Sequence, residues 1–169
     1  MTPVAELVAY ADGRLVCGAA VYRCALGRGG VTAAKREGDG ATPSGVFPLR
    51  RLYYRADRGA APATRLPLRA LRPTDGWCDC PSDPRYNRHV TRPYAGRHEA
   101  LWRDDHLYDF VVVIGYNDRP VLPERGSAVF MHLARDDYAP TDGCIALRRT
   151  DLLAVLATVA PNALLTIVG

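Results

Sequence analysis

Short runs of alternating apolar and polar residues fill the first third of the chain. Val4–Tyr10, Arg14–Gly18 and Val21–Leu26 read as strands, with turns at Asp12-Gly13 and Gly18-Ala19-Ala20. Val46–Tyr54 reads as another, and Pro48 predicts an edge or a bulge there because proline cannot donate to a ladder. Phe110–Tyr116 has a different pattern. Val111, Val112, Val113 and Ile114 follow one another without a polar break, which predicts a strand buried on both faces. Ala128–Leu133 and Cys144–Leu147 predict two more strands. Thr150 predicts the N-cap of a short helix over Asp151–Val159, with Leu152, Leu153, Leu156 and Val159 inward. Pro161-Asn162 is expected to stop that helix ahead of a closing strand at Ala163–Val168. The chain is therefore mainly β, a sandwich or barrel-like mixed sheet with few short helices.

Two segments break the pattern. Gly27–Gly45 is a polar, glycine-rich loop. Residues 55–108 are rich in Pro, Arg, Asp and aromatics and show little periodicity, apart from a helical turn expected at Glu99–Asp104. Irregular stretches of that length are usually functional or act as covers, so this one is expected to be an insertion or lid. At 169 residues the whole chain, 1–169, is expected to be one domain with an ordinary core.

Composition narrows the function. Hydrophobic residues make up 48% and charged residues 24%, the balance of a globular protein. The net charge of +4 comes almost wholly from arginine, with Lys35 the single lysine. No basic stripe is interleaved with aromatics, so no nucleic-acid partner is expected. No apolar run is long enough for a transmembrane segment. Met1–Arg14 lacks a basic start followed by an apolar run, so no signal peptide is expected from it. Five cysteines cannot all pair, and Cys144 is the candidate free thiol. Cys78 and Cys80, with His89 and His98 nearby, have no second ligand pair at metal spacing, so neither a metal nor another cofactor is expected. Cys17 and Cys24 flank a tight turn out of register, which leaves a disulfide unsupported.

The candidate chemistry is concentrated near the C-terminus. His132 is followed by eleven residues and then Cys144, within Thr141-Asp142-Gly143-Cys144-Ile145. A thiol near its free pKa of about 8.5 is mostly protonated at neutral pH, and a nearby imidazole can take its proton and return it to a leaving amine. Gly143 permits close backbone approach, and the amides of Asp142, Gly143 and Cys144 are candidate oxyanion donors. A lone cysteine is ordinarily core filler; its place at a turn-to-strand junction beside a strand ending in histidine points to a nucleophile and its base. Trp77, Tyr86, Trp102, Tyr108 and Tyr116 either line a cleft or anchor their segment. Arg85, Arg88, Arg92, Arg97 and His106 are candidate partners for substrate carboxylates.

These residues resemble a known family. His132 with Thr141–Ile145 is similar to the active-site signature of the L,D-transpeptidases with a YkuD-type catalytic domain. Thr42-Pro43-Ser44-Gly45-Val46-Phe47 resembles that family's Thr-Pro-x-Gly-x-Phe segment. The resemblance implies a YkuD-like fold and a bacterial cell-wall enzyme. Cys144 would attack a peptidoglycan stem peptide, and the acyl-enzyme would pass to an amine on another stem, with no cofactor. It implies donor and acceptor stems as partners, a monomer, inhibition by carbapenems, and action in the periplasm or envelope, with the cytoplasm as the alternative. Two departures stand out: Asp142 replaces a histidine and Ala146 replaces an arginine. They place the chain in a short, divergent branch and favour 1–3 over 3–3 crosslinks. Tyr138, Asp142 or a backbone carbonyl would orient His132, and Thr141 and Arg148 are candidate substrate contacts. The rivals are a hydrolase of the same fold (a carboxypeptidase or endopeptidase), a non-catalytic wall-binding module, and a papain-like peptidase. The last typically places its cysteine before its histidine.

Overall fold

The computed structural model describes residues 2–169. The first hairpins fold as the alternation predicts: β1 (Val4–Tyr10), β2 (Arg14–Cys17) and β3 (Ala20–Ala25) pair antiparallel in sequence. Two short pieces, β4 (Val31–Thr32) and β5 (Thr42–Pro43), pair in parallel and clip the glycine-rich loop. β6 (Gly45–Tyr54) is long and changes partners along its length. It pairs with β14 (Val159–Val168) up to Pro48, and with β11 (Phe110–Ile114) from Leu49 onward. A register shift at that handover skips Arg50, the bulge expected beside a proline inside a strand.

β12 (Phe130–Leu133) lies antiparallel to β11, and β13 (Ile145–Leu147) lies parallel to β12 and antiparallel to β3. The order β11-β12-β13-β3-β2-β1-β14-β6 returns to β11, closing eight strands into a mixed barrel. β7 (Leu68–Ala70) adds to the outer side of β6.

α1 (Arg149–Thr158) is the one helix among the described residues. It begins earlier than the sequence predicts. Arg148 takes the extended cap position with no side-chain cap, and Thr150 sits inside the first turn. The expected stop at Pro161-Asn162 is also displaced. The helix ends at Thr158, and Pro161 and Asn162 lie within β14, where the pairing with β1 jumps from Val4↔Val159 to Glu6↔Leu164. Proline's missing donor is accommodated by that irregularity. Leu152, Val155 and Leu156 of α1 join Leu7, Leu15, Met131 and Leu165 in one core.

Residues 55–108 are more ordered than their lack of periodicity suggests. β8 (Asp75–Cys78) is flanked by β9 (His89–Thr91) and β10 (His98–Ala100) in a separate three-stranded sheet. The helical turn expected at Glu99–Asp104 does not form. Glu99 and Ala100 complete β10, and Leu101 is fully buried, with its N–H donating to the Asp75 carbonyl. Burial of Leu101 and tertiary pairing override the local preference. This segment packs Trp77, Leu101, Leu107 and Tyr108 onto Val111, Val113 and Phe130, making a second core outside the barrel. β11 is therefore buried on both faces, as expected. Among the described residues no helix is long and apolar enough to cross a membrane.

Candidate functional site

β12 and β13 run in parallel with Met131 opposite Ile145 and His132 opposite Ala146. Alternation sends Met131, Leu133, Ile145 and Leu147 into the barrel and turns Phe130, His132, Cys144 and Ala146 outward, with Phe130 and Cys144 packed against residues of the 55–108 segment. His132 and Cys144 thus share one face of neighbouring strands. Both line a cavity of about 540 Å³, whose wall also includes Tyr108, Glu99, Lys35 and Arg28.

The imidazole is fixed by its own strand. Nδ1 of His132 lies 2.8 Å from the carbonyl oxygen of Leu133. A carbonyl only accepts, so Nδ1 carries the proton and Nε2 keeps a free lone pair. Of the candidate orienting groups, then, a backbone carbonyl holds the ring. Asp142 instead points outward and pairs with Arg28, and Tyr138 lies under the Arg23 guanidinium, 4.3 Å from its ring centroid. The edge of the Tyr108 ring packs against the imidazole at 5.1 Å between centroids. Burial lowers the His132 pKa to about 4, so the ring is neutral across the physiological range.

The thiol of Cys144 is 8% exposed. Its Sγ accepts from the Phe130 N–H at 3.4 Å and donates to the Ala128 carbonyl at 3.3 Å. Burial pushes the thiol up to about 12, reinforced by the negative charge of Glu99 and opposed by the Phe130 N–H and the positive charge of Lys35. No hydrogen bond joins Sγ to His132 in this arrangement. The resting pair is neutral thiol and neutral imidazole.

The turn before Cys144 depends on the glycine-rich loop. Gly143 has φ +130°, and a Cβ there would stand 2.7 Å from the Ala41 carbonyl oxygen. Only glycine fits both conditions. The loop is locked from the other side by Thr42, which is fully buried and accepts the Gly27 N–H at 2.9 Å. Arg28 N–H donates to the Thr141 carbonyl, and Thr141 N–H to that of Leu26. The Thr42-Pro43 segment and the Thr141–Cys144 turn, a hundred residues apart in sequence, are thus two sides of one structure. Thr141 Oγ1 donates to the Cys144 carbonyl at 2.6 Å and accepts the Gly143 N–H at 3.1 Å. The Gly143 amide is therefore engaged, whereas those of Asp142 and Cys144 have no partner among the described residues.

The other expected residues are distributed elsewhere. Arg148 lines a second cavity, with Tyr138 and His106. Arg97 pairs with Asp79, and Arg85 and Arg88 donate to the carbonyls of His89 and Asp118. The cations that line the Cys144 cavity are Arg28, Lys35, Arg103 and Arg135 instead. Of the five aromatics, Tyr108 alone lines it. Trp77 bonds to Asn87, Tyr86 to Glu37, Trp102 stacks under Arg55 and Tyr116 packs on Phe47, so all four serve as anchors. Glu99, which accepts the Tyr108 hydroxyl, and Lys35 carried no motif. Nothing in the sequence marks Glu99, and the one signal for Lys35 is that it is the only lysine in the chain. All five cysteines are free, and among the described residues no group of three or more His, Cys, Asp or Glu is placed to hold a metal ion.

Residues 4–167 match the family model of the YkuD L,D-transpeptidase catalytic domain. The chain belongs to the YkuD family. The YkuD domain is also similar to the crystal structure of Mycobacterium tuberculosis L,D-transpeptidase 1. Identity is 12% over 97% of this chain, with a TM-score of 0.45, and the chain spans 58% of that protein's length. No curated protein sequence matches it significantly. Within this YkuD domain, Ala146 is 1% exposed and lies directly opposite His132, so a small side chain beside the imidazole helps leave the cavity open there.

Proposed function

We propose that this YkuD domain is a peptidoglycan L,D-transpeptidase that works through a thioester on Cys144. One observation carries the proposal: a thiol and an imidazole whose Nε2 is kept unprotonated by the Leu133 carbonyl line the same cavity, on one face of two parallel strands. Donor binding turns the thiol from the Ala128 carbonyl toward Nε2. The proton passes to His132 as Sγ bonds to the donor carbonyl carbon and the π pair moves onto oxygen. The free amides of Asp142 and Cys144 meet that oxyanion. Collapse breaks the C–N bond, and the amine leaves with the proton from His132. The acceptor amine then attacks the thioester, gives its proton to His132, and the thiolate leaves and is reprotonated.

The donor centre follows from the departures in the motif. Asp142 is held outward by Arg28, and Ala146 presents no charge to the substrate. A site altered on its donor side supports transfer from the first stem residue, giving 1–3 rather than 3–3 crosslinks. Stem peptides place the enzyme's work in the cell envelope. A hydrolase of the same fold uses the same acyl-enzyme with water as acceptor, and it yields free acid in place of a dimer.

The test is intact-mass spectrometry after incubation with a carbapenem. A single adduct on wild type that is lost in Cys144→Ala is expected. No adduct, or one that survives the substitution, overturns the assignment. With purified stem peptides, 1–3 dimers are expected; 3–3 dimers alone overturn the linkage, and free acid alone assigns a hydrolase.

A further inference from the structure

The single lysine of the chain is buried at the edge of this cavity. Lys35 is 5% exposed, and its ammonium is held at 2.9 Å by Asp39. Asp39 is itself fixed by the N–H groups of Arg36 and Ala41, at 2.7 and 2.9 Å. The stem of Lys35 passes Gly126, where a Cβ would stand 2.8 Å from the lysine Cε; with φ +102° that position is suited to glycine on two counts. Nζ ends 3.4 Å from the point where a Cβ on Gly143 would stand. Burying an ammonium carries a desolvation penalty that pairing offsets only with good geometry and further hydrogen bonds, so a lysine threaded between two glycines to reach one residue requires an explanation.

The residue it reaches is the one whose own amide is already engaged. The Gly143 N–H is spent on Thr141 Oγ1. An ammonium has three N–H donors, and Asp39 is the only hydrogen-bond partner of Lys35 among the described residues. Two remain available beside the Gly143–Cys144 backbone. Around the sulfur, Glu99 of β10 brings the opposing negative charge, Tyr108 and His132 are neutral, and Lys35 is the cation.

We infer that Lys35 is a cationic member of the site, stabilising the Cys144 thiolate as it forms and donating to the oxyanion in place of the Gly143 amide. The inference rests on the thioester reading above. In the first step the carbonyl π pair becomes the oxyanion and the thiol proton goes to His132. Lys35 keeps its own protons throughout and supplies charge and a hydrogen bond. The field of an ammonium fixed in a buried position is worth more than that of one free in water.

The experiment compares wild type, Lys35→Met and Lys35→Arg as full chains. Two rates are followed on the Cys144 peptide by mass spectrometry: alkylation by iodoacetamide across pH 6–9, and acylation by a carbapenem. Lys35→Met is expected to slow alkylation about tenfold for each unit that the thiol pKa rises, and to slow acylation by roughly 10²-fold. Lys35→Arg recovers a large part of both. A structural tie to Asp39 would lower the melting temperature and leave both rates of the folded protein unchanged, and that result overturns the inference. If wild type itself takes no adduct, the thioester reading falls and this inference with it. If wild type and Lys35→Met acylate equally, only the role of Lys35 falls. Should Lys35→Met melt below the assay temperature, Lys35→Gln, which keeps an N–H for Asp39 without the charge, decides between the same two outcomes.

Discussion

Two faces of the same three strands divide the work of this molecule. The inner face of β11, β12 and β13 carries Val112, Met131, Leu133, Ile145 and Leu147, all at most 1% exposed and packed with the helix. The outer face carries Val111, Phe130, His132 and Cys144 against the 55–108 segment, mixed with Tyr108 and Glu99. The first is a dry aliphatic interior that stabilises the barrel. The second is also buried, but aromatic, polar and next to a cavity. Because side chains alternate strictly along a strand, the barrel can carry His132 and Cys144 on one face without sharing its inner packing with them.

Met131→Ala and Cys144→Ala should separate these faces most sharply. Truncating Met131 leaves a cavity in the inner core and is expected to cost about 2–5 kcal/mol, read from urea unfolding. In protein that remains folded, carbapenem acylation should stay close to wild type. Cys144→Ala should abolish acylation with a far smaller loss of stability. Equal stability losses would mean that the two faces do not divide the work in this way.

Gly143→Ala tests the junction between the faces. The substitution forces a Cβ into φ +130° and against the Ala41 carbonyl. A loss of about 1–3 kcal/mol is expected from the strain alone, together with slower acylation as the turn shifts Cys144. Ala41→Gly removes only a methyl and leaves the obstructing carbonyl in place, so it should not rescue the variant.

The outer face should also carry a pH signature that the inner face lacks. His132 titrates near 4 when folded and near 6.5 when unfolded. Between those values the unfolded chain binds more protons, so stability rises with pH across the window. The contribution is fully present above about pH 6.5 and lost as pH falls toward 4. It amounts to about 3 kcal/mol, and His132→Gln should flatten that part of the stability profile. Acylation should keep its plateau to about pH 5, since a base with a pKa near 4 is still neutral there. An acid limb centred near 6.5 would show that the ring is solvated rather than buried.

The two faces also differed in how legible they were in the sequence. Alternation placed β1, β2 and β3 closely, because side chains there face core and solvent by turns, and an unbroken apolar run placed β11, because both of its faces are buried. His132, Cys144 and the Thr42-Pro43 segment were legible because unusual residue types stood at motif spacing. β8, β9 and β10 were not, since three- or four-residue strands show no period and exist only through pairing with each other. Nor was the carbonyl that orients His132, because every residue has one and only the backbone path selects Leu133. The cap of α1 was misplaced because Arg148, without a capping side chain, is held by the strand that precedes it.

Tyr108→Phe gives the smallest and most discriminating effect. The hydroxyl donates to Glu99, while the ring packs edge-on against His132 and Phe130, at 5.1 and 6.1 Å between centroids. Phenylalanine keeps the ring and removes the hydrogen bond. Glu99, whose pKa is already raised by burial, then loses the donor that favours its charged form. Its pKa should rise further. Stability should fall by about 1 kcal/mol. The Cys144 thiol should become easier to ionise, because the carboxylate that opposes it holds its charge less firmly. Faster alkylation of Cys144 in a slightly less stable protein is therefore the expected combination. Slower alkylation would mean that the hydroxyl acts on the sulfur directly rather than through Glu99.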